Sequence, residues 1–77
     1  MNRGDNRIGP RAAAEIRARA YEEDTSFAAQ LAVLNAPSSI FCRWEHGQGA
    51  PRAETLARMA RAGYDVIYIL TGERSQT

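Results

Sequence analysis

The chain has 77 residues, which is enough for one small domain but too few for a deep catalytic cleft. Its composition, 44% hydrophobic and 25% charged, is typical of a folded domain, and no apolar run is long enough to span a membrane. A net charge of +1 is too small to indicate a nucleic-acid partner by itself. With one cysteine, no metal-ligand spacing and no apolar signal segment, we expect a cytoplasmic protein without metal or cofactor.

We predict a flexible arm over residues 1–9, a folded domain over residues 10–72 and a polar tail over residues 73–77. Pro10 suits the first position of a helix, and the alanine-rich run that follows favours helix as far as Tyr21. The inner face of this first helix is formed by Ala13, Ile16 and Ala20.

Three consecutive acidic residues end the first helix and precede a second one, whose N-cap is Thr25 or Ser26. The second helix extends to Leu34, and its core-facing stripe consists of Phe27, Leu31 and Leu34. Asn35 favours the left-handed conformation that ends a helix, so we expect a tight turn there.

A third, short helix is predicted from Pro37 to His46, and Gly47 suits its end. Phe41 and Trp44 are three residues apart, so they share the face directed toward the core. The opposite face is small and polar and carries Ser38, Ser39, Cys42 and Arg43. A short helix with an apolar back and a hydrogen-bonding front suits the major groove of DNA.

A fourth helix is predicted over residues 52–62, started by Pro51 and ended by Gly63. Its inner face consists of Leu56, Met59 and Ala60.

The run over residues 64–72 is ambiguous, because its β-branched and aromatic residues favour a strand. Asp65 suits an N-cap and Gly72 suits a C-terminal stop, and the sequence offers no second strand for pairing. We therefore predict a fifth short helix, and an all-α fold class for the chain.

Several of these residues together form one extended sequence pattern: Trp44-Glu45-x-Gly47, then Pro51, then the ending Asp65-Val66-x-Tyr68-Ile69-Leu70-Thr71-Gly72. Over about residues 26–72 the chain resembles the lambda-repressor-like helix-turn-helix domains of the Cro/XRE type, especially small phage-type regulators. The resemblance implies a compact five-helix bundle in which the second and third helices form the helix-turn-helix. It also implies sequence-specific binding to double-stranded DNA, as a homodimer, by a transcriptional regulator such as a repressor.

Position by position, the resemblance assigns DNA contacts to the third helix, here 37–46, and its surroundings. The base-reading candidates are Ser38, Ser39, Cys42 and Arg43, and the phosphate-contacting candidates are Ser26, His46, Gln48 and Arg52. An alternative for Arg43 is a surface ion pair with Glu45 or Asp24.

The fifth helix carries more apolar surface than one small helix buries within its own bundle, which indicates a dimer interface. The candidate interface residues are Val66, Ile67, Tyr68, Ile69 and Leu70. The alternative is a terminal helix that closes the core of the monomer.

Some residues depart from the family pattern: Phe27 replaces a phosphate-binding Gln, Gln30 replaces a core Leu, and Ile40 falls on the outer side. Phe27, Ile40, the three consecutive acidic residues at 22–24, which lie close to the expected path of the duplex, and the low net charge favour an alternative function. It is a protein-interaction module on the same scaffold with weak or no DNA binding. We expect no enzyme and no small-molecule substrate, because no nucleophile, base and orienting group can be combined from these residues.

Overall fold

A computed structural model describes residues 7–74, which form five helices and no strand, so the all-α prediction is confirmed. The helices are α1 (Ile8–Glu22), α2 (Phe27–Val33), α3 (Ser38–Glu45), α4 (Ala53–Arg61) and α5 (Val66–Thr71). α1 is the longest and packs against α2, α3 and α5, while α4 packs against α5. No helix in this part of the chain is long and apolar enough to cross a membrane.

α1 begins earlier than predicted, at Ile8 rather than at Pro10. Ile8 and Gly9 therefore belong to the helix and not to an N-terminal arm. Arg7, also in the predicted arm, is the N-cap of α1. Residues 1–6 of the arm and residues 75–77 of the polar tail lie outside the described residues. Small side chains dominate the buried face of α1, which lets neighbouring helices approach closely; this face consists of Gly9, Ala12, Ala13, Ile16 and Ala20.

Most helix ends occur where the sequence predicted them. The Ser26 hydroxyl caps α2 by accepting from the Ala29 N–H at 3.1 Å, and the Asp65 carboxylate caps α5 by accepting from the Tyr68 N–H at 3.0 Å. Asn35 has a φ of +58°, as expected for the turn after α2. The predicted stops also have positive φ: Gly47, Gly63 and Gly72.

The core lies between α1 and the helices around it, and its largest fully buried side chains are Ile16, Leu31, Leu34, Trp44, Met59 and Ile69. Each contributes about 1.5–3 kcal/mol by burial. Phe27 was predicted to be a core residue but lies at the edge, with 37% of its surface exposed. Ala60 was predicted to face inward and is exposed, whereas Ala62 packs against the core.

Arg17 of α1 connects α2 and α3. Its guanidinium lies over the rings of Phe27 and Phe41, 4.9 and 5.3 Å from their centroids, and pairs with the Glu45 carboxylate at the end of α3. One side chain of α1 therefore holds the start of α2 and the end of α3.

A buried polar group connects α2 with the start of α5. Gln30, only 8% exposed, accepts a hydrogen bond from the Tyr64 hydroxyl at 3.1 Å. Its amide nitrogen donates to the Glu23 carboxylate at 3.0 Å and to the Thr25 hydroxyl at 3.1 Å. These partners explain how a glutamine occupies a buried position at which the resemblance implies leucine.

Candidate functional site

The two faces of α3 differ sharply in burial. Phe41 is 2% exposed and Trp44 is 1% exposed, as predicted, and both pack into the core. The four residues proposed to read bases are all exposed, and the structure brings them together on one helix: Ser38, Ser39, Cys42 and Arg43. Because three of these four side chains are short, this face of α3 can approach a flat or concave surface closely.

The turn before α3 sets the position of this helix. The Ala36 N–H donates to the Leu31 carbonyl oxygen at 2.9 Å, and Asn35 supplies the positive φ that reverses the chain. Pro37 has an extended backbone and forms the N-cap rather than the first helical residue that we predicted. No side chain caps α3, so its first N–H groups and the exposed Ser38 and Ser39 hydroxyls are donors at the helix start.

Arg43 is held by the loop that follows α3. Its Nη2 donates to the Gln48 carbonyl oxygen at 3.4 Å, and the Gln48 N–H donates to the Arg43 carbonyl oxygen at 2.8 Å. The Glu45 carboxylate pairs with Arg17 instead, and within residues 7–74 Arg43 pairs with neither Glu45 nor Asp24. The ion pairs considered as an alternative role for Arg43 are therefore absent.

Cys42 and His46 are neighbours on the exposed side of α3. The Cys42 Sγ lies 3.6 Å from the His46 Nδ1, which also lies 2.8 Å from the Cys42 carbonyl oxygen. Because a carbonyl oxygen only accepts, His46 donates through Nδ1–H in this arrangement. No group of three or more His, Cys, Asp and Glu side chains suited to a metal occurs within the described range 7–74.

The four predicted phosphate-contacting residues are all exposed and surround α3: Ser26, His46, Gln48 and Arg52. His46 and Gln48 follow the end of α3, and Arg52 is the N-cap of α4, with an extended backbone and no side-chain cap. Ser26 precedes Phe27, whose ring stacks on Phe41 of α3. The Ser26 oxygen already accepts the capping bond of α2, so its remaining capacity for a phosphate is its O–H donor.

Sequence reasoning missed the contact that fixes the loop after α3. A Cβ added to Gly9 would lie 2.2 Å from the Gly49 carbonyl oxygen and 2.9 Å from the Trp44 carbonyl oxygen. Only glycine allows the start of α1 to approach both backbone groups. Gly9 and Gly49 are 40 positions apart in the sequence, so no local pattern indicates this contact.

On α5, the predicted interface residues fall into two groups. Ile67 is 51% exposed and Leu70 is 41% exposed, whereas Val66 and Tyr68 are partly buried against the core. Assigning Ile69 to the interface was wrong, because this side chain is fully buried in the monomer core. The apolar surface that α5 offers to a partner therefore centres on Ile67 and Leu70.

The described part of the chain is a five-helix, all-α domain with one short, polar-faced helix held between an anchored loop and a tight turn. In comparisons with protein-family models, with curated proteins and with solved structures, nothing matches this chain.

Proposed function

We propose that this protein is a sequence-specific, double-stranded-DNA-binding transcriptional regulator of the phage-repressor type, and that α3 is its recognition helix within a helix-turn-helix formed with α2. The observation that carries this proposal is the division of α3 into a buried aromatic face and an exposed face of short polar residues with one arginine. A helix of this kind enters the major groove, which is about 12 Å wide, without steric hindrance.

The proposed DNA contacts are of two kinds: phosphate contacts that position the duplex, and base contacts that read its sequence. Exposed donors around α3 position the duplex by contacting phosphates: Ser26, His46, Gln48 and Arg52. Arg43 reads guanine O6 and N7 with its guanidinium fork, a contact that discriminates by about 1–3 kcal/mol. Ser38, Ser39 and Cys42 line the rest of the groove-facing side and discriminate between bases more weakly.

The proposed regulator acts as a homodimer through the α5 surface centred on Ile67 and Leu70. Binding to successive major grooves on one face of the duplex requires this dimer to hold its two α3 helices about 34 Å apart. Ile67→Glu tests this contact by sedimentation analysis. We expect the dimer dissociation constant to rise by more than about tenfold. Exposed Val33→Glu is the matched control and leaves the dimer intact.

The salt dependence follows from the few cations around α3. Arg52 is the one arginine among the proposed phosphate contacts and neutralises about one phosphate per protomer, so a dimer loses about 10-fold in affinity between 50 and 200 mM salt. The test is binding to labelled genomic fragments, including the region beside the protein's own gene, at both salt concentrations. We expect competitor-resistant binding to one fragment, and weak, uniform binding to all fragments would contradict the proposal.

A protein-interaction module is the second candidate. The outer face of α2 is exposed and entirely apolar, and consists of Ala28, Ala29, Ala32 and Val33. Tyr21 at the end of α1 is 88% exposed. An apolar contact of this kind keeps its affinity as salt increases, because it releases no counterions. Retained affinity for a protein in 200 mM salt, without specific DNA binding, would favour this function.

A further inference from the structure

Two apolar side chains lie at the start of α3, beside its polar outer face. Pro37, the N-cap of α3, is exposed, and Ile40 in the first turn is only partly buried against the core. Packing within the monomer accounts for Phe41 and Trp44, which are almost completely buried, but it leaves part of Pro37 and Ile40 in contact with water. Apolar surface of this kind favours a partner that covers it.

The positions of two arginines indicate what covers this apolar surface. Pro37 and Ile40 line one shallow depression together with Arg43, the proposed base-reading arginine. The same two side chains line a second depression together with Arg52, a proposed phosphate contact. Because Pro37 and Ile40 belong to both depressions, a duplex that contacts both arginines also covers these two side chains.

The chemistry of the major groove decides which group of the duplex meets them. The N-terminal residues of a recognition helix contact base edges, and Pro37 and Ile40 lie at that end of α3. Polar base edges placed against apolar side chains lose hydrogen bonds to water without replacement. Thymine is the base that offers an apolar group in the major groove, its C5 methyl, and aliphatic side chains contact this methyl favourably.

We propose that Pro37 and Ile40 hold the C5 methyl group of a thymine and thereby determine part of the sequence specificity. This inference rests on the proposed function and adds to it a base that the polar residues of α3 do not read. Ile40 and Arg43 are three residues apart, which is about 4.5 Å along a helix, and base pairs are about 3.4 Å apart. The thymine therefore lies within two base pairs of the guanine that Arg43 reads.

Deoxyuridine tests the proposal on the wild-type chain, because it pairs like thymidine and differs from it only in lacking the C5 methyl. The preferred half-site is first selected from randomised duplexes. We expect it to contain a thymine within two base pairs of the guanine whose preference Arg43→Ala loses. Deoxyuridine at this position should weaken binding about fourfold per methyl group removed. Deoxyuridine in the flanking sequence is the control and should leave the affinity unchanged.

The outcomes separate this inference from the proposed function. Selection of a specific half-site without such a thymine, or equal affinity for the thymine and deoxyuridine duplexes, would overturn this inference alone. Failure to select any half-site would reject the proposed function and this inference with it.

Ile40→Ala tests whether the methyl contact depends on this side chain. The variant should bind the thymine and deoxyuridine duplexes with less than twofold difference, while it keeps the guanine preference that Arg43 provides. Val33→Ala, at an exposed site on α2, is the matched control and should keep the fourfold difference. Circular dichroism shows whether each variant is folded. A folded Ile40→Ala variant that still discriminates fourfold would overturn the role of Ile40, and the comparison of the two duplexes with the wild type needs no substitution.

Discussion

The ring of Phe27 stacks on the ring of Phe41, with the centroids 4.7 Å apart and the planes inclined by 13°. This pair joins the first residue of α2 to the buried face of α3, and the Arg17 guanidinium of α1 covers both rings. This aromatic contact therefore positions the start of α2 relative to α3, although 37% of the Phe27 surface remains exposed.

Replacing Phe27 by alanine tests the strength of this contact. We expect the free energy of unfolding to fall by about 1–3 kcal/mol, because the variant loses partly buried area, the ring stack and the cation–π contact. Urea unfolding followed by circular dichroism measures the change. Val33→Ala, at a site 69% exposed on the same helix, is the control and should change stability by less than about 0.5 kcal/mol. Equal effects would mean that the stack contributes nothing.

The hydrogen bond between Tyr64 and Gln30 predicts a non-additive pair of substitutions. Gln30→Leu leaves the buried Tyr64 hydroxyl without its acceptor, which should cost about 1–3 kcal/mol of stability. Tyr64→Phe similarly leaves the Gln30 oxygen without its donor. In the double variant neither group remains, so its loss should be smaller than the sum of the two single losses. If the losses in the free energy of unfolding, measured with urea, are strictly additive, the Gln30 and Tyr64 side chains are not energetically coupled.

Burial of Tyr64 also predicts a loss of stability at alkaline pH. Desolvation raises the pKa of its hydroxyl above the ordinary value of 10.0, although the positive charge of Arg19 lowers this pKa in part. The unfolded chain then releases this proton at lower pH than the folded chain does. The contribution of Tyr64 to the free energy of unfolding is therefore fully present below about pH 10. It is lost as pH increases through the raised pKa.

The measurement for this prediction is the unfolding free energy between pH 8 and 12. The chain has no lysine, so few other groups titrate in this interval. Tyr64→Phe should flatten the decline, whereas Tyr21→Phe, at a site 88% exposed, should retain it. A decline that is equally steep in both variants would assign the alkaline loss to another group.

The close approach of Gly9 to the loop after α3 predicts different changes in stability for two similar substitutions. Gly9→Ala increases helix propensity, which by itself favours folding by about 1 kcal/mol. It also forces a Cβ against the Gly49 carbonyl oxygen, and we expect a net loss of about 1–3 kcal/mol. In Gly49→Ala the new Cβ would meet only the Trp44 ring, at 4.0 Å, so little change is expected. Thermal unfolding of the two variants measures both changes. A Gly9→Ala variant that is more stable than the wild type would contradict the close approach of Gly9 to the Gly49 carbonyl oxygen.

The helix ends could be predicted from the sequence because they depend on local chemistry. Ser26 and Asp65 are caps, and Asn35 and Gly47 have the positive φ that ends a helix, each determined by a few neighbouring residues. The run over 64–72 favoured a strand by propensity alone. Its helical state followed from the lack of a pairing strand, a constraint that overrides residue preference.

The contacts that could not be predicted join residues far apart in the sequence. Periodicity indicates which face of a helix is buried, but not which faces meet, so it did not reveal that Gln30 contacts Tyr64 or that Gly9 contacts Gly49. Ile69 was assigned to a dimer interface for a related reason. A continuous apolar run such as 66–70 does not indicate which of its residues the monomer itself buries.

The most direct test of α3 as a recognition helix is selection of preferred sequences from randomised duplexes by the wild type, Arg43→Ala and Arg61→Ala. We predict that Arg43→Ala loses its preference at one base position per half-site, by roughly 5- to 150-fold. Arg61→Ala, which removes an exposed arginine on α4, should select the wild-type site. If Arg43→Ala selects the same half-site with undiminished preference, Arg43 does not read the DNA and the assignment of α3 is wrong.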